Sequence, residues 1–153
     1  MDELKAGDAS PEFTLEGDDG RTYSLSDFRG QRLVVYFYPK DSTPGCTTEA
    51  REFTALVEEY AAAGYRIIGV SPDSVASHQK FKEKHNLDIL LLSDPNKYYA
   101  SAIGAYGEKK NYGVKYMGII RSTFVIDTDG KLLKAFRNVK AKGHAEKVLC
   151  ELR

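Results

Sequence analysis

The chain has 153 residues, 42% of them hydrophobic and 29% charged. This composition excludes a disordered chain and predicts a single folded domain over residues 1–153. Its 22 Lys and Arg balance 22 Asp and Glu, so no overall charge indicates nucleic acid or an anionic membrane as a partner. Two cysteines are too few for a disulfide scaffold and indicate a reducing compartment, so we expect a cytoplasmic protein.

The sequence predicts neither a membrane span nor a signal peptide. The longest unbroken apolar run, Leu33 to Tyr38, is far shorter than the roughly 20 residues needed to cross a bilayer. Asp2 and Glu3 interrupt the positively charged start of a signal peptide, and no apolar stretch follows them. We therefore expect a protein that acts in solution.

The first two-thirds of the chain alternate predicted strands and helices, without linkers or repeats. A hairpin is expected first, from strands over 13–15 and 22–25 around the turn residues 17–20. Residues 33–38 are continuously apolar, as in a strand that is covered on both faces. The elements that follow are a helix with apolar positions from Ala50 to Ala61 that ends at Gly64, a strand over 65–70, a helix over 74–85 ending at Asn86, an apolar run over 89–92, and a short helix over 96–103.

The last third predicts a long loop, a second hairpin and a final helix. Residues 104–118 are rich in glycine and tyrosine and indicate the loop. Strands over 123–126 and 132–136 flank the turn residues 127–130, and a helix covers 143–152. This order predicts an α/β protein with a central mixed sheet flanked by helices and an N-terminal β-hairpin. The late hairpin beside a closing helix favours a thioredoxin-like fold over a flavodoxin-like, doubly wound sheet.

The segment between the apolar strand and the next helix carries the clearest chemical pattern. Thr43 is predicted to be an N-cap, with Pro44 at the first helical position, where proline is preferred. Cys46 then lies in the first turn, where free backbone N–H groups and the helix dipole favour the thiolate over the thiol. The alternative is a small buried side chain, the commoner fate of a single cysteine. The cap, the proline and the strand–loop–helix context favour the reactive thiolate.

Thiolate formation alone does not make a cysteine enzyme fast. Lowering the pKa of a thiol from about 8.5 to about 6 raises the thiolate fraction at pH 7 roughly 30-fold. Each thiolate, however, becomes roughly 13-fold less nucleophilic, so the net gain is about two- to threefold. Most of the rate must come from groups that stabilise the transition state. The site therefore needs a hydroxyl, for which Thr43 is the local candidate, and a cation from elsewhere in the chain.

The same segment resembles the signature of a known family. Pro39, Thr43 and Cys46 fit the P-x-x-x-T-x-x-C motif of peroxiredoxins, and residues 121–127 (RSTFVID) resemble their arginine-bearing strand. The resemblance runs from about Gly7 to the C terminus. It is narrowed to the peroxiredoxin Q, or bacterioferritin comigratory protein, subfamily by the strings GCTTEA at 45–50, GVSPD at 69–73 and YGVKYMGIIR at 112–121.

The resemblance implies a thioredoxin-like fold and the reduction of hydrogen peroxide and organic hydroperoxides. Cys46 would be the peroxidatic nucleophile, which the peroxide oxidises to a sulfenic acid. Thr43 would hydrogen-bond the peroxide, Arg121 would contact both the thiolate and the peroxide oxygens, and Pro39 would shield the pocket from water. Glu49 would orient Arg121. We expect no metal or other cofactor, thioredoxin or glutaredoxin as the reductant, and a monomer or weak homodimer.

The sequence departs from this subfamily at the resolving cysteine. Many members carry it five residues after the peroxidatic cysteine, where this chain has Arg51, and others carry it one helix later, but residues 74–85 contain no cysteine. The remaining thiol, Cys150, falls outside the apolar stripe of the last helix and should be at least partly exposed. This pattern favours a one-cysteine mechanism, in which an external thiol reduces Cys46. Resolution by Cys150, within the chain or across a dimer, stays open, and an incidental Cys150 is compatible with the one-cysteine mechanism.

Other functions compete with a thiol peroxidase. A peroxide sensor or redox relay of the same fold would use the same residues, so only turnover separates the two. A thioredoxin-type disulfide oxidoreductase is disfavoured because no C-x-x-C motif is present, and a cysteine hydrolase because no histidine is placed as a base beside Cys46. His78, His85 and His144 are predicted to be solvated on polar helix faces or ends, and their spacing does not indicate a metal site.

Overall fold

A computed structural model of the protein describes residues 4–152, so Asp2 and Glu3 lie outside the described residues. None of the helices in this range has the length and apolarity that crossing a bilayer requires. A short 3₁₀ helix spans Leu25–Phe28. The helices are α1 (Pro44–Ala55), α2 (Val57–Ala62), α3 (Val75–His85), α4 (Tyr98–Ile103) and α5 (His144–Leu152). The strands are β1 (Thr14–Gly17), β2 (Thr22–Ser24), β3 (Arg32–Phe37), β4 (Tyr65–Ser71), β5 (Leu90–Ser93), β6 (Tyr106–Asn111), β7 (Val114–Ile119), β8 (Ser122–Ile126) and β9 (Leu132–Phe136).

The main sheet contains seven strands in the order β2-β1-β5-β4-β3-β8-β9. Strands β3, β4 and β5 run parallel to one another, whereas β8 and β9 extend the sheet from β3 in antiparallel pairs. The β1–β2 hairpin joins the other end through an antiparallel pairing with β5. The predicted central mixed sheet, its N-terminal hairpin and its flanking helices are confirmed.

Strand β3 separates two hydrophobic cores. Leu33, Val35 and Phe37 face the core that α4 covers, whereas Val34 and Tyr36 face the core that the other four helices cover. All five side chains are buried. This burial on both faces explains why the strand is continuously apolar rather than alternating, and it anchors the carboxyl end from which the loop to α1 departs.

The single helix predicted to run through Ala61 is in fact two helices. At Leu56 the backbone leaves α-helical geometry (φ −105°, ψ 7°), and its N–H bonds to the carbonyl of Phe53, three residues back. Tyr60 of α2 nevertheless remains buried beside Phe53, with a ring separation of 5.9 Å. Neither glycine nor proline marks the break, so the apolar periodicity predicted one continuous helix.

The prediction of a long loop over residues 104–118 is wrong, because most of that segment forms the β6–β7 hairpin, a separate two-stranded sheet. Tyr112 and Gly113 both have positive φ (51° and 80°), which matches the two-residue turn of a tight hairpin. Such turns are usually signalled by Asn-Gly or Asp-Gly, and tyrosine in the first position concealed this one. Much of the hairpin is also exposed, including Val114, Tyr116 and Met117. The strands therefore lack the alternation that would have revealed them.

Two of the three histidines predicted to be solvated are buried. His78 in α3 is 0% exposed and His144 at the start of α5 is 4% exposed. The His144 ring packs edge-on against Phe53, and its Nε2 lies 2.7 Å from the Thr123 hydroxyl. Burial, together with the nearby positive charges of Lys147 and Arg121, lowers the pKa of His144 to about 4. This imidazole is therefore neutral in the folded protein at pH 7.

We expect His144→Asn to flatten the acid destabilisation of the protein between about pH 6.5 and pH 4. In the wild type, the unfolded chain protonates this imidazole below the ordinary pKa of 6.5, whereas the folded protein does so only near pH 4. The free energy of unfolding therefore falls as the pH drops through this window, by up to about 3 kcal/mol. The variant lacks this contribution but is less stable at pH 7, because packing against Phe53 is lost. Denaturant titrations from pH 4 to pH 8 measure both effects. A free energy of unfolding that falls equally steeply with decreasing pH in the variant and in the wild type would contradict the prediction.

Candidate active site

The sheet topology places Arg121 beside the start of α1. Strand β8 runs antiparallel to β3, with Ser122 paired to Phe37. The residue before Ser122 therefore lies at the carboxyl end of β3, where the loop to α1 begins. Cys46 stands in the first turn of α1. Two residues that are 75 positions apart in the chain thus meet at one edge of the sheet.

The predicted start of α1 is confirmed. Thr43 has extended N-cap geometry (φ −82°, ψ 153°), and Pro44 occupies the first helical turn. The Thr43 hydroxyl makes no capping hydrogen bond and instead donates to the carbonyl of Lys40 at 2.9 Å. Because its proton is used in this bond, the lone pairs of Thr43 Oγ1 are left to accept a hydrogen bond from a ligand.

Arg121 bridges Cys46 and Glu49. Its Nη2 donates to Cys46 Sγ at 3.3 Å, and its Nη1 donates to Glu49 Oε1 at 2.6 Å. Glu49 follows Cys46 by three residues on α1, so both side chains lie on one helix face and a single guanidinium reaches both. The structure therefore brings together Cys46, Glu49 and Arg121, the charged or ionisable groups that the sequence indicated.

The charges of this site are largely shielded from water. The Glu49 side chain is 0% exposed and that of Arg121 is 17% exposed. Burial raises the pKa of Glu49 to about 7, against the lowering effect of Arg121. Burial also disfavours the charged form of Arg121, but Glu49 and Cys46 hold its pKa above the usual range. Because the site is dry, the guanidinium attracts negative charge on the sulfur more strongly than it would in water.

One polar atom in the site and one on the adjacent strand are buried without a hydrogen-bond partner among residues 4–152. These atoms are Glu49 Oε2 and Tyr36 Oη. Burial, followed by the charge of Glu49, raises the pKa of Tyr36 well above its ordinary value, so this phenol stays neutral. Tyr36 packs in the core, where its ring stacks on that of Phe53 with the ring centroids 4.5 Å apart.

The loop that leads to Cys46 rests on a buried pair that sequence analysis did not identify. Pro39 is half-buried after the end of β3, and Asp41 lies 2.7 Å from the imidazole of His78 in the interior. Asp41 lies inside the P-x-x-x-T-x-x-C segment, but the expectation of a solvated His78 concealed its partner.

Among residues 4–152, no group of three or more His, Cys, Asp or Glu side chains is placed to hold a metal ion.

The two cysteines lie in different environments. Cys46 is 1% exposed with its sulfur against Arg121, whereas Cys150 is exposed, as predicted, on the side of α5 that faces solvent. Both are free thiols. A disulfide requires Cα atoms within about 7 Å and Cβ atoms that point at each other. In the folded structure the two form no disulfide, and one thiol is buried whereas the other faces solvent.

A mixed sheet with a buried cysteine at a helix start, held by an arginine that directly precedes the neighbouring antiparallel strand, defines the class of thioredoxin-fold thiol peroxidases. The AhpC/TSA family model matches residues 6–135. Peroxiredoxin Bcp of Bacillus subtilis is 51% identical over 150 residues, which cover 98% of this chain and 96% of that protein. Peroxiredoxin Bcp of Escherichia coli is 42% identical over 149 residues, which cover 97% and 96% of the two chains.

Solved structures agree with the sequence relatives. Peroxiredoxin Q of Xanthomonas campestris superposes with a TM-score of 0.89 at 43% identity, over 97% of this chain and 94% of that chain. The chain therefore belongs to the AhpC/TSA family, as a peroxiredoxin of the Q, or bacterioferritin comigratory protein, subfamily. The resemblance recognised in the sequence and the thioredoxin-like fold are confirmed, and the protein is a thiol peroxidase.

We expect Arg121→Lys to slow the oxidation of Cys46 by hydrogen peroxide by about 100-fold, the usual effect of removing one fixed donor to a developing charge. A lysine ammonium is a compact point charge, so it cannot contact Glu49 and Cys46 at once as the planar guanidinium does. Rapid-quench trapping of the sulfenic acid measures the rate. Arg51→Lys, an exposed position on α1, is the matched control and should retain the wild-type rate. Equal rates for the two variants would contradict the role of the bridge.

Proposed function

We propose that this peroxiredoxin reduces hydrogen peroxide and organic hydroperoxides through a sulfenic acid on Cys46, which an external thiol then reduces. The observation that carries the proposal is the double contact of Arg121, 3.3 Å from Cys46 Sγ and 2.6 Å from Glu49 Oε1. This contact places a fixed, oriented cation at the sulfur that stands in the first turn of α1.

The first step oxidises the sulfur by two electrons. The Cys46 thiolate attacks the terminal oxygen of ROOH, so that a sulfur–oxygen bond forms and the O–O bond breaks. The attacked oxygen keeps its hydrogen and becomes the sulfenic acid, and the leaving oxygen takes up a proton to become ROH. Negative charge thus moves from sulfur to the leaving oxygen. Arg121 is close enough to the sulfur to stabilise the charge as it moves.

Thr43 and Pro39 complete the proposed site. The Thr43 hydroxyl donates to Lys40, so Thr43 Oγ1 serves as the acceptor for the O–H of the hydroperoxide. That bond orients the terminal oxygen toward the sulfur. Pro39 is half-buried and carries no N–H, so it keeps water away from the thiolate without adding a competing donor.

We propose a one-cysteine mechanism for the second half of the cycle. A reductant thiol attacks Cys46–SOH, forms a mixed disulfide and releases water, and a second thiol then frees the Cys46 thiolate. The support is the absence of a suitably placed second thiol. Arg51 occupies one subfamily position for the resolving cysteine, α3 contains no cysteine, and Cys150 faces solvent.

The proposed reductant is thioredoxin or glutaredoxin, because each supplies the pair of thiols that this scheme requires. The proposed compartment is the cytoplasm, where such reductants keep thiols reduced.

Oxidation by one equivalent of hydroperoxide should produce a trappable sulfenic acid on Cys46. Intact-mass analysis with and without dimedone measures this outcome, because dimedone adds only to the sulfenic acid. Cys150→Ser should give the same adduct as the wild type, whereas Cys46→Ser should give none. A loss of two hydrogen atoms that Cys150→Ser abolishes would instead identify a Cys46–Cys150 disulfide and overturn the one-cysteine mechanism.

A peroxide sensor or redox relay is the second candidate function. The contact between Arg121 and Cys46 Sγ supports it as well, since peroxide would oxidise Cys46 in a sensor as it does in a peroxidase. The first chemical step is the same in both functions.

Turnover separates the two functions. With excess hydrogen peroxide and a complete thioredoxin or glutaredoxin system, a peroxidase should consume many equivalents of peroxide per Cys46, and reductant consumption measures this directly. Cys46→Ser sets the background. Consumption of a single equivalent, with either reductant or with dithiothreitol, would favour the sensor.

A further inference from the structure

The loop between β3 and α1 is tied to α3 through the carboxylate of Asp41. This carboxylate accepts hydrogen bonds from Tyr38 Oη at 2.7 Å, from Ser77 Oγ at 2.8 Å and from His78 Nδ1 at 2.7 Å. We call these four residues the Asp41 clamp. Three donors converge on one carboxylate, so little of its capacity to accept hydrogen bonds is left unused.

The His78 ring is held on both sides. Nε2 donates to the carbonyl of Leu92 at 3.0 Å, and a carbonyl can only accept, so Nε2 carries a proton. Nδ1 then shares a second proton with Asp41. The side chains of His78 and Asp41 are 0% and 2% exposed, so the pair is shielded from water and its hydrogen bond is charge-assisted.

A second tether holds the backbone of the same loop. The N–H of Asp41 donates to Asp73 Oδ2 at 2.7 Å, and Ser71 Oγ donates to the same oxygen at 2.8 Å. Asp73 lies between β4 and α3. The Cys46 loop is therefore fastened by both the side chain and the backbone of one residue, Asp41.

The tethered loop is strained and leads into the helix turn that holds the buried sulfur. Ser42, directly after Asp41, has φ +65°, a left-handed conformation that a residue other than glycine keeps only where its surroundings impose it. Thr43 follows, and Cys46 three residues later is 1% exposed. A small molecule can reach this sulfur by slight adjustments, but a macromolecule needs the loop to leave its place.

We infer that Asp41 and His78 are positioning residues whose clamp keeps the Cys46 loop closed, so that breaking the clamp exposes Cys46 without unfolding the rest of the domain. Neither residue contacts the sulfur. They act through the loop that carries Thr43 and the start of α1. The consequence for turnover rests on the proposed function, but the exposure of Cys46 does not.

Alkylation of Cys46 tests the clamp without peroxide. In a Cys150→Ser background, Cys46 is the only thiol, and its reaction with iodoacetamide and with a polyethylene glycol maleimide is followed by mass. His78→Phe keeps a ring but removes both imidazole hydrogen bonds, and it should raise the maleimide rate by about tenfold or more, the equivalent of one charge-assisted hydrogen bond. Iodoacetamide, being small, should show a much smaller change.

Asp41→Asn is the milder variant. Its amide can still donate to a neutral His78, so the charge is lost while the hydrogen bond is kept, and its maleimide rate should fall between those of the wild type and His78→Phe. It also keeps the test valid if His78→Phe does not fold. His85→Phe, on the same helix but only partly buried, is the matched control and should match the wild type.

The rate of global unfolding distinguishes it from local opening of the Cys46 loop. The unfolding rate of each variant is measured by circular dichroism, and the maleimide reaction should be much faster than that rate. Maleimide rates that equal the unfolding rates, or that do not change in either clamp variant, would overturn the inference.

The two steps of the cycle supply a second readout. Asp41→Asn should lower kcat/KM for hydrogen peroxide, because Thr43 and Cys46 are less well held, and should raise the rate at which a protein thiol reduces the oxidised enzyme. A merely destabilised protein would lose both rates together, which would count against the clamp. If the proposed peroxidase cycle is wrong, turnover is absent in the wild type as well, while the alkylation result still stands.

Discussion

The guanidinium of Arg121 links the fold of this protein to its chemistry. It contacts Cys46 and Glu49 at once, and it does so because β8 pairs antiparallel to β3 with Ser122 opposite Phe37. The pairing sets where the cation lies, and the first helical turn sets where the sulfur lies. Since Glu49 is fully buried, removing Arg121 would leave a carboxyl group in the core without its counter-charge. Structural and chemical requirements therefore meet in one side chain.

Burial of this site creates a second requirement. A dry environment strengthens the attraction between the guanidinium and the sulfur, but it also keeps large reaction partners away from Cys46, which is 1% exposed. The chain meets both demands with a loop that hydrogen bonds to Asp41 hold in place. Such bonds can break locally while the two cores on either side of β3 stay intact.

The sequence predicted features that depend on local chemistry. The apolar run that became β3 and the cap and proline before Cys46 were recognised because burial on two faces and helix initiation leave direct marks on residue type. The β6–β7 hairpin was missed because Tyr112 adopts a positive φ that tyrosine does not signal. The break at Leu56 was missed because no residue type marks it. The buried state of His78 and His144 was missed because their partners, Asp41 and Thr123, come from distant parts of the chain.

The sequence by itself determined that this is a mixed α/β protein with one thiol at a helix start, and the pattern of Pro39, Thr43, Cys46 and the arginine-bearing strand indicated its family. Only the tertiary structure decided which groups surround that thiol, because hydrogen bonds and burial depend on which elements pack together. It placed Arg121 against the sulfur, directed the Thr43 hydroxyl to Lys40, and joined Asp41 to His78 in the interior.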